Sequence, residues 1–104
     1  MGAAAAICER LLAEGTQDPD VYSLLGVINE SGSKLEAAED LFRKALFLDP
    51  QHYQSLVHMS LLCERHGNID GSRLYRARAG RVVSQQEGDG EGQVRGFPWP
   101  KNSP

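Results

Sequence analysis

Residues 19–52 read PDVYSLLGVINESGSKLEAAEDLFRKALFLDPQH and hold two helical patterns of apolar residues, separated by Gly32-Ser33. Residues 53–86 repeat this arrangement in weaker form, 34 positions later. A fixed period of this size indicates stacked helical units, each of which buries its apolar face against the next. Such an array presents extended surfaces to other macromolecules, so the period favours a binding role over a catalytic one.

The first unit places large and small side chains where two antiparallel helices would pack closely. Gly26 lets the partner helix approach, and Phe42 fills the space that the small residues leave. This pattern resembles the tetratricopeptide repeat, in which a large residue and Leu-Gly precede Ala, an aromatic residue, Ala and Pro. The departure is Asn29, where the family usually has an aromatic residue. The repeat-defining core predicted from the resemblance is Tyr22, Leu25, Gly26, Ala38, Phe42, Ala45 and Pro50.

The flanking segments extend the period. In the second unit Arg76 falls where Phe42 lies in the first, and Tyr75 is the better core candidate; a terminal repeat is expected to be atypical. Residues 3–14 match the second helix of an earlier unit whose first helix is absent, which suggests a fragment of a longer protein. We therefore predict an all-α fold in which antiparallel helix pairs stack as a short right-handed tetratricopeptide solenoid of about two and a half repeats.

Five helices are expected, at 3–14, 19–31, 35–48, 53–66 and 69–83. They form a repeat domain over 1–83, made of a half repeat (3–14), a repeat (19–52) and a degenerate terminal repeat (53–83). Residues 84–104 are rich in Gly, Pro and polar residues, so we expect a disordered tail.

Local signals support these helix ends. Asp18-Pro19 is a typical N-cap followed by a first-turn proline, and Asp49-Pro50 ends the third helix. Ser33 and Glu36 have the spacing of a capping box. Gly67-Asn68 closes the fourth helix with residues that tolerate the left-handed conformation.

Composition and spacing exclude several function classes. The net charge of −3 argues against a general nucleic-acid binder. No apolar run approaches the ~20 residues that span a bilayer, and no signal peptide is visible, so we expect a soluble cytoplasmic chain without direct membrane insertion. Cys8 and Cys63 lie on apolar helix faces, as small buried side chains do in a reducing compartment. Cys63 and His66 lack further ligands for zinc, and we expect no catalytic, cofactor or metal site in this chain.

Three surfaces are candidates for binding. In the tetratricopeptide family the concave face is lined by first-helix residues, and the resemblance maps that role here to Asp20, Ser23, Val27, Glu30, Ser31, Gln54, Val57, Leu61, Glu64 and Arg65. This set lacks the Lys and Asn residues with which chaperone-binding members hold a peptide carboxylate; it fits a helix or extended segment, or else it only supports the stack. The last helix carries a basic face of Arg73, Arg78 and Arg81, which is either a solvated face or a docking patch for an acidic partner.

The third candidate is a tail motif, Phe97 and Trp99, in the stretch RGFPWPK at 95–101. Aromatic residues flanked by proline are pre-extended and lose little entropy on docking. The motif is either a docking element, for its own stack, a second copy or another protein, or an inert tail. The half repeat adds a homodimer interface through Ile7, Leu11 and Leu12 if the absent helix normally covers them.

A closer resemblance rests on ICERLLAEG, YSLLGVINE and AAEDLFRKALFLDPQHYQSLVHMSLLCERHGNIDGSRLYRARAGRV, about 80 of the 104 residues. These stretches are similar to the C-terminal repeats of bacterial chemotaxis-type (CheR-like) protein methyltransferases, in particular those of biofilm-regulating chemosensory pathways. The family's S-adenosylmethionine-dependent domain precedes the repeats and methylates receptor glutamates. None of that domain's motifs is present here, so no catalytic residue is carried over.

The resemblance implies a protein-protein interaction module in signal transduction, which tethers the methyltransferase to a chemoreceptor or another pathway protein. One alternative is a regulatory arm that docks on its own catalytic domain. The other is a stand-alone scaffold protein unrelated to methylation. S-adenosylmethionine is implied for the parent protein only.

Overall fold

The computed structural model describes residues 2–89, with the side chains of residues 2–86. Its elements are five helices: α1 (Gly2–Ala13), α2 (Pro19–Ser31), α3 (Leu35–Leu48), α4 (Tyr53–Arg65) and α5 (Ile69–Asp89). No strand occurs in this part of the chain, so the all-α prediction is confirmed there. None of the helices in residues 2–89 combines the length and the apolar character needed to cross a membrane.

The fifth helix is longer than expected. It continues to Asp89, six residues beyond the predicted end at 83, so residues 84–89 are helical and not part of a disordered tail. Ser84 to Glu87 contain no Gly or Pro that would stop the helix, and the Gln85 side chain accepts a hydrogen bond from Gln51 at 2.9 Å. Polar composition was therefore a poor guide to where the helix ends. Residues 90–104 lie outside the described residues.

The capping box predicted at Ser33 is wrong. Ser33 has a φ of 65° and follows the Gly32 C-cap of α2, while Lys34 is the N-cap of α3 and makes no side-chain capping bond. The N–H of Ser33 donates to the Glu30 carbonyl and the N–H of Lys34 donates to the Asn29 carbonyl, the paired bonds of a Schellman motif. Ser33 thus closes one helix instead of opening the next.

The other helix ends follow the expected chemistry. The Asp18 Oδ1 accepts the backbone N–H of Asp20 at 2.9 Å, the N-cap bond of α2. Gly67, with a φ of 77°, closes α4 in a Schellman motif like that at Ser33. Asn68 caps α5, because its Oδ1 accepts the N–H of Gly71 at 2.9 Å.

The helices pack mainly in the order of the sequence, each against the next. Lys44, late in α3, lies 5.9 Å from the ring centroid of Tyr22, early in α2, so these two helices run antiparallel. Glu64, late in α4, faces Arg76 in the first half of α5, at 3.9 Å. The structure therefore contains two antiparallel helix pairs, α2–α3 and α4–α5, with α1 packed on α2.

The core runs along the contacts between these pairs. Phe42 is fully buried, and its ring stacks on that of His58 with centroids 5.0 Å apart and planes 8° from parallel. Tyr75 packs against the core, whereas Arg76 is exposed, as the second unit's pattern indicated. The buried core cluster is Ala38, Phe42, Leu46, Leu56, Met59, Leu62, Ala79 and Val82.

Candidate partner-binding surface

The residues predicted to line a concave face do not all reach the surface. Ser23 is 1 % exposed, so its place in that set is wrong: the side chain lies inside the packing of α2 and offers nothing to a partner. Val27, Glu30 and Val57 are half-buried. The exposed members are Asp20, Ser31, Gln54, Leu61, Glu64 and Arg65.

The two acidic members on α2, Asp20 and Glu30, lie against His52 and α4. The Asp20 Oδ1 lies 2.6 Å from the Nε2 of His52, just before α4, and the Nδ1 of that ring lies 2.9 Å from the Ser55 hydroxyl. Glu30 lies 2.9 Å from the Nδ1 of His58 and 3.8 Å from Arg65. Since Asp20 precedes Glu30 as His52 precedes His58, α2 and α4 lie side by side in the same direction.

These contacts change the character of the predicted groove. Glu30 is half-buried and lies against His58 and Arg65, so its carboxylate is not free to bind a ligand. A third carboxylate, Glu39 of α3, lies 3.0 Å from His66. Along the junction between the two helix pairs, each of the three histidines is matched with an acid of the preceding pair.

An open groove with a mainly apolar lining lies between α4 and α5. This groove of about 300 Å³, called here the α4–α5 groove, is lined by Tyr53, Val57, Ser60, Leu61, Arg76, Ala79, Gly80 and Val83. Val57 and Leu61 were predicted as binding residues, but Tyr53, Gly80 and Val83 were not. The spacing of Tyr53, Val57 and Leu61, four residues apart on one helix, was the available signal.

The predicted basic face is only partly a free surface. Arg73 and Arg81 are exposed, whereas Arg78 is half-buried. Arg78 donates a hydrogen bond to the Pro50 carbonyl at 3.1 Å, and its guanidinium lies 5.6 Å from the ring centroid of Tyr75. Its place on the open face is therefore wrong, because the side chain fastens α5 to the α3–α4 connection. A cleft of about 200 Å³ beside it is lined by Pro50, Gln51, Arg78, Arg81, Val82 and Gln85.

The repeat-defining residues are mostly interior. Leu25, Gly26, Ala38, Phe42 and Ala45 are buried. Tyr22 is half-buried and its hydroxyl donates to the Thr16 carbonyl at 3.3 Å. Pro50 is exposed, and it contacts α5 through its carbonyl, which accepts a hydrogen bond from Arg78, rather than through its ring.

Two predicted binding sites remain, the homodimer interface on the half repeat and the tail motif. Ile7 is 51 % exposed on α1, while Leu11 and Leu12 are half-buried, so the surface available for a homodimer is narrower than predicted. Phe97 and Trp99 fall outside the described residues.

Within residues 2–89, no three His, Cys, Asp or Glu side chains come together as metal ligands would. Both cysteines are free thiols and buried. Burial raises the pKa of the Cys63 thiol above its ordinary 9.0, the charge of Glu39 raises it further, and Arg43 acts in the opposite direction. A nucleophilic thiol usually has a lowered pKa, so we interpret Cys63 as a packing residue.

Comparison with known proteins relates this chain to one kind of enzyme. It is 37 % identical over 82 residues to "Probable biofilm formation methyltransferase WspC" of Pseudomonas aeruginosa, and 34 % identical over 80 residues to the protein of that name from Pseudomonas putida. The matches cover 79 % and 77 % of this chain but 19 % of each relative. No family model and no solved structure matches the chain. The chain is therefore similar to about a fifth of a biofilm-pathway methyltransferase.

Proposed function

We propose that this chain is a tetratricopeptide-like interaction module of a protein-glutamate methyltransferase, and that it tethers the enzyme to a protein partner such as a chemoreceptor or another pathway component. The observation that carries the proposal is the α4–α5 groove, in which the half-buried Val57 and the exposed Leu61 form an apolar strip. Exposed apolar strips of this kind commonly mark protein-binding sites.

The helix arrangement supports the repeat part of the proposal. α2 and α4 lie alongside one another in the same direction, and each helix pair turns at a left-handed residue, Ser33 or Gly67, 34 positions apart. Equivalent residues at a fixed offset are what a stacked repeat requires.

Similarity to the two methyltransferases supports the enzymatic context. S-adenosylmethionine would be bound by another part of such a parent protein, and no residue of this chain is assigned to it. In this proposal the chain positions the enzyme: it holds the catalytic domain near its substrate and so raises the local concentration of substrate.

Two variants of the parent methyltransferase test the tether. Leu61→Asp places a charge in the groove, whereas Leu74→Asp alters an exposed leucine of α5 that is not part of the groove. Methylation is measured on receptors in membrane arrays and on a soluble receptor fragment. Tethering predicts a loss for Leu61→Asp on arrays only, with Leu74→Asp unchanged on both substrates.

The other functions give different results. A regulatory arm on the catalytic domain predicts that Leu61→Asp alters turnover on the soluble fragment as well. Equal rates for all three proteins on both substrates would contradict both ideas. A gene product that carries no methyltransferase domain would favour a stand-alone scaffold.

A further inference from the structure

The α4–α5 groove has no occupant among residues 2–89. Tyr53, Leu61 and Val83 remain 46 %, 41 % and 37 % exposed along its walls, although helices are most stable when such a stripe is covered. The two walls run antiparallel, and the middle of α5 forms one side with Arg76, Ala79, Gly80 and Val83. The lining ends at Val83, six residues before the end of α5 at Asp89.

Gly80 gives the groove a notch that internal packing does not explain. Among the described residues, a Cβ atom at Gly80 would meet nothing within 4 Å, whereas one at Gly71 would lie 2.6 Å from the Asn68 side chain and 3.0 Å from the Cys63 Sγ. A glycine inside a helix destabilises it relative to alanine. No described neighbour needs the missing methyl group, and the open space at Gly80 leaves room for a ligand to approach the backbone.

The segment that follows has suitable chemistry and length. Residues 95–101 read RGFPWPK and contain the only tryptophan of the chain. Phe97 follows Asp89 by eight residues, which span up to ~28 Å when extended. Gly80 lies only ~14 Å back along the helix from Asp89, and Arg76 ~20 Å. The link is long enough to turn back and reach the groove.

We propose that the α4–α5 groove binds residues 95–101 of this same chain, with Phe97 and Trp99 as apolar anchors beside Gly80. Pro98 and Pro100 restrict the free segment to extended conformations, which reduces the entropy lost on docking. A short tether gives an effective concentration in the millimolar range, so the attached segment outcompetes a second copy at ordinary protein concentrations. This inference concerns the same groove as the proposed function, so a tethering partner would compete with residues 95–101 for it; the docking itself needs neither a partner nor a methyltransferase domain.

Trp99 reports on the docking directly. The purified 104-residue chain is compared with its Leu61→Asp and Leu74→Asp variants by fluorescence emission and acrylamide quenching. Docking predicts a blue-shifted, protected Trp99 in the native chain and in Leu74→Asp, at every dilution, and a several-fold rise in quenching for Leu61→Asp. Equal quenching in all three would overturn the proposal, and protection that disappears on dilution would assign the groove to a second copy instead.

A second measurement does not depend on how Leu61→Asp folds. Gly80→Ala is made in the native chain and in a Phe97→Ser/Trp99→Ser chain, and thermal melting is followed by circular dichroism. With the anchors removed, alanine should raise the melting temperature because it favours the helix. With the anchors present, the added methyl group should crowd the notch and cancel or reverse that rise. The same rise in both backgrounds would contradict docking at Gly80.

Discussion

Gly26 and Phe42 are packed so closely that no larger residue fits at Gly26. A Cβ atom there would lie 2.8 Å from Cε1 and 2.9 Å from Cζ of the Phe42 ring, and this ring is fully buried. Because the ring is fully buried and stacked on His58, this contact limits how closely α2 and α3 can lie.

Gly26→Ala should therefore destabilise the fold although alanine favours the helix. Overpacking of a core typically costs about 1–3 kcal/mol, and we expect a loss of this size in the free energy of unfolding, measured by urea denaturation. Gly32→Ala is the matched control, since its Cβ would meet nothing closer than 3.7 Å at a φ of −89°. Adding Phe42→Leu to Gly26→Ala should cost less than the two single changes summed; strict additivity would contradict the clash.

Ser33 and Gly67 occupy equivalent backbone positions and differ in their side chains. Both follow the C-cap of a helix, with φ values of 65° and 77°. A non-glycine residue in this conformation costs about 1 kcal/mol, so Ser33→Gly should raise the free energy of unfolding and Gly67→Ser should lower it by a similar amount. Thermal melts of the two variants check the signs. A melting temperature that falls in both variants would show that the serine side chain has a role of its own.

Replacing Ser23 with alanine should stabilise the fold. Its hydroxyl is buried and has no hydrogen-bond partner among the described residues. Leaving such a group unpaired costs about 1–3 kcal/mol, so Ser23→Ala should raise the free energy of unfolding by about 1–2 kcal/mol. Ser60→Ala is the control, because the Ser60 hydroxyl donates to the Val57 carbonyl at 2.7 Å. A larger gain at Ser60 than at Ser23 in the same urea titrations would refute this assignment.

Sequence patterns predicted the bounds of the helices better than they predicted which helix faces are exposed. Periodicity and capping residues are local, so the bounds of α2 and α3 and the buried Phe42 were predicted correctly. Whether Ser33 opens α3 or closes α2 depends on a competition between two helix ends, which spacing alone does not decide. The end of α5 was missed because composition, rather than a stop signal, was used to place it.

The candidate site was harder to predict for a similar reason. Val57 and Leu61 were identified from a family pattern, but the groove is also lined by Gly80 and Val83 of α5, which that pattern does not include. Arg78 was assigned to the open face by helical angle alone. Its hydrogen bond to the Pro50 carbonyl is a long-range contact that no angle within one helix reveals.

Cys63 should make the stability of the fold depend on alkaline pH. Its pKa is raised above 9.0 in the folded protein, chiefly by burial and then by the Glu39 charge. Below the unfolded-state pKa the thiol is neutral in both states, and its full contribution to stability is present. As the pH rises past that value, the unfolded chain loses its proton first, so stability falls until the folded thiol also ionises. The free energy of unfolding of the native chain should therefore fall between pH 8 and pH 10.

Substitution separates this effect from other groups that ionise in the same range. Cys63→Ala removes the thiol, so the drop between pH 8 and pH 10 should be smaller in this variant, even though its stability at pH 8 changes through lost packing. An equal drop in the native chain and in Cys63→Ala would mean that burial of this thiol does not oppose its ionisation. Alkylation should agree, with Cys63 reacting slowly at pH 7 because the thiolate, the reactive form, is rare there.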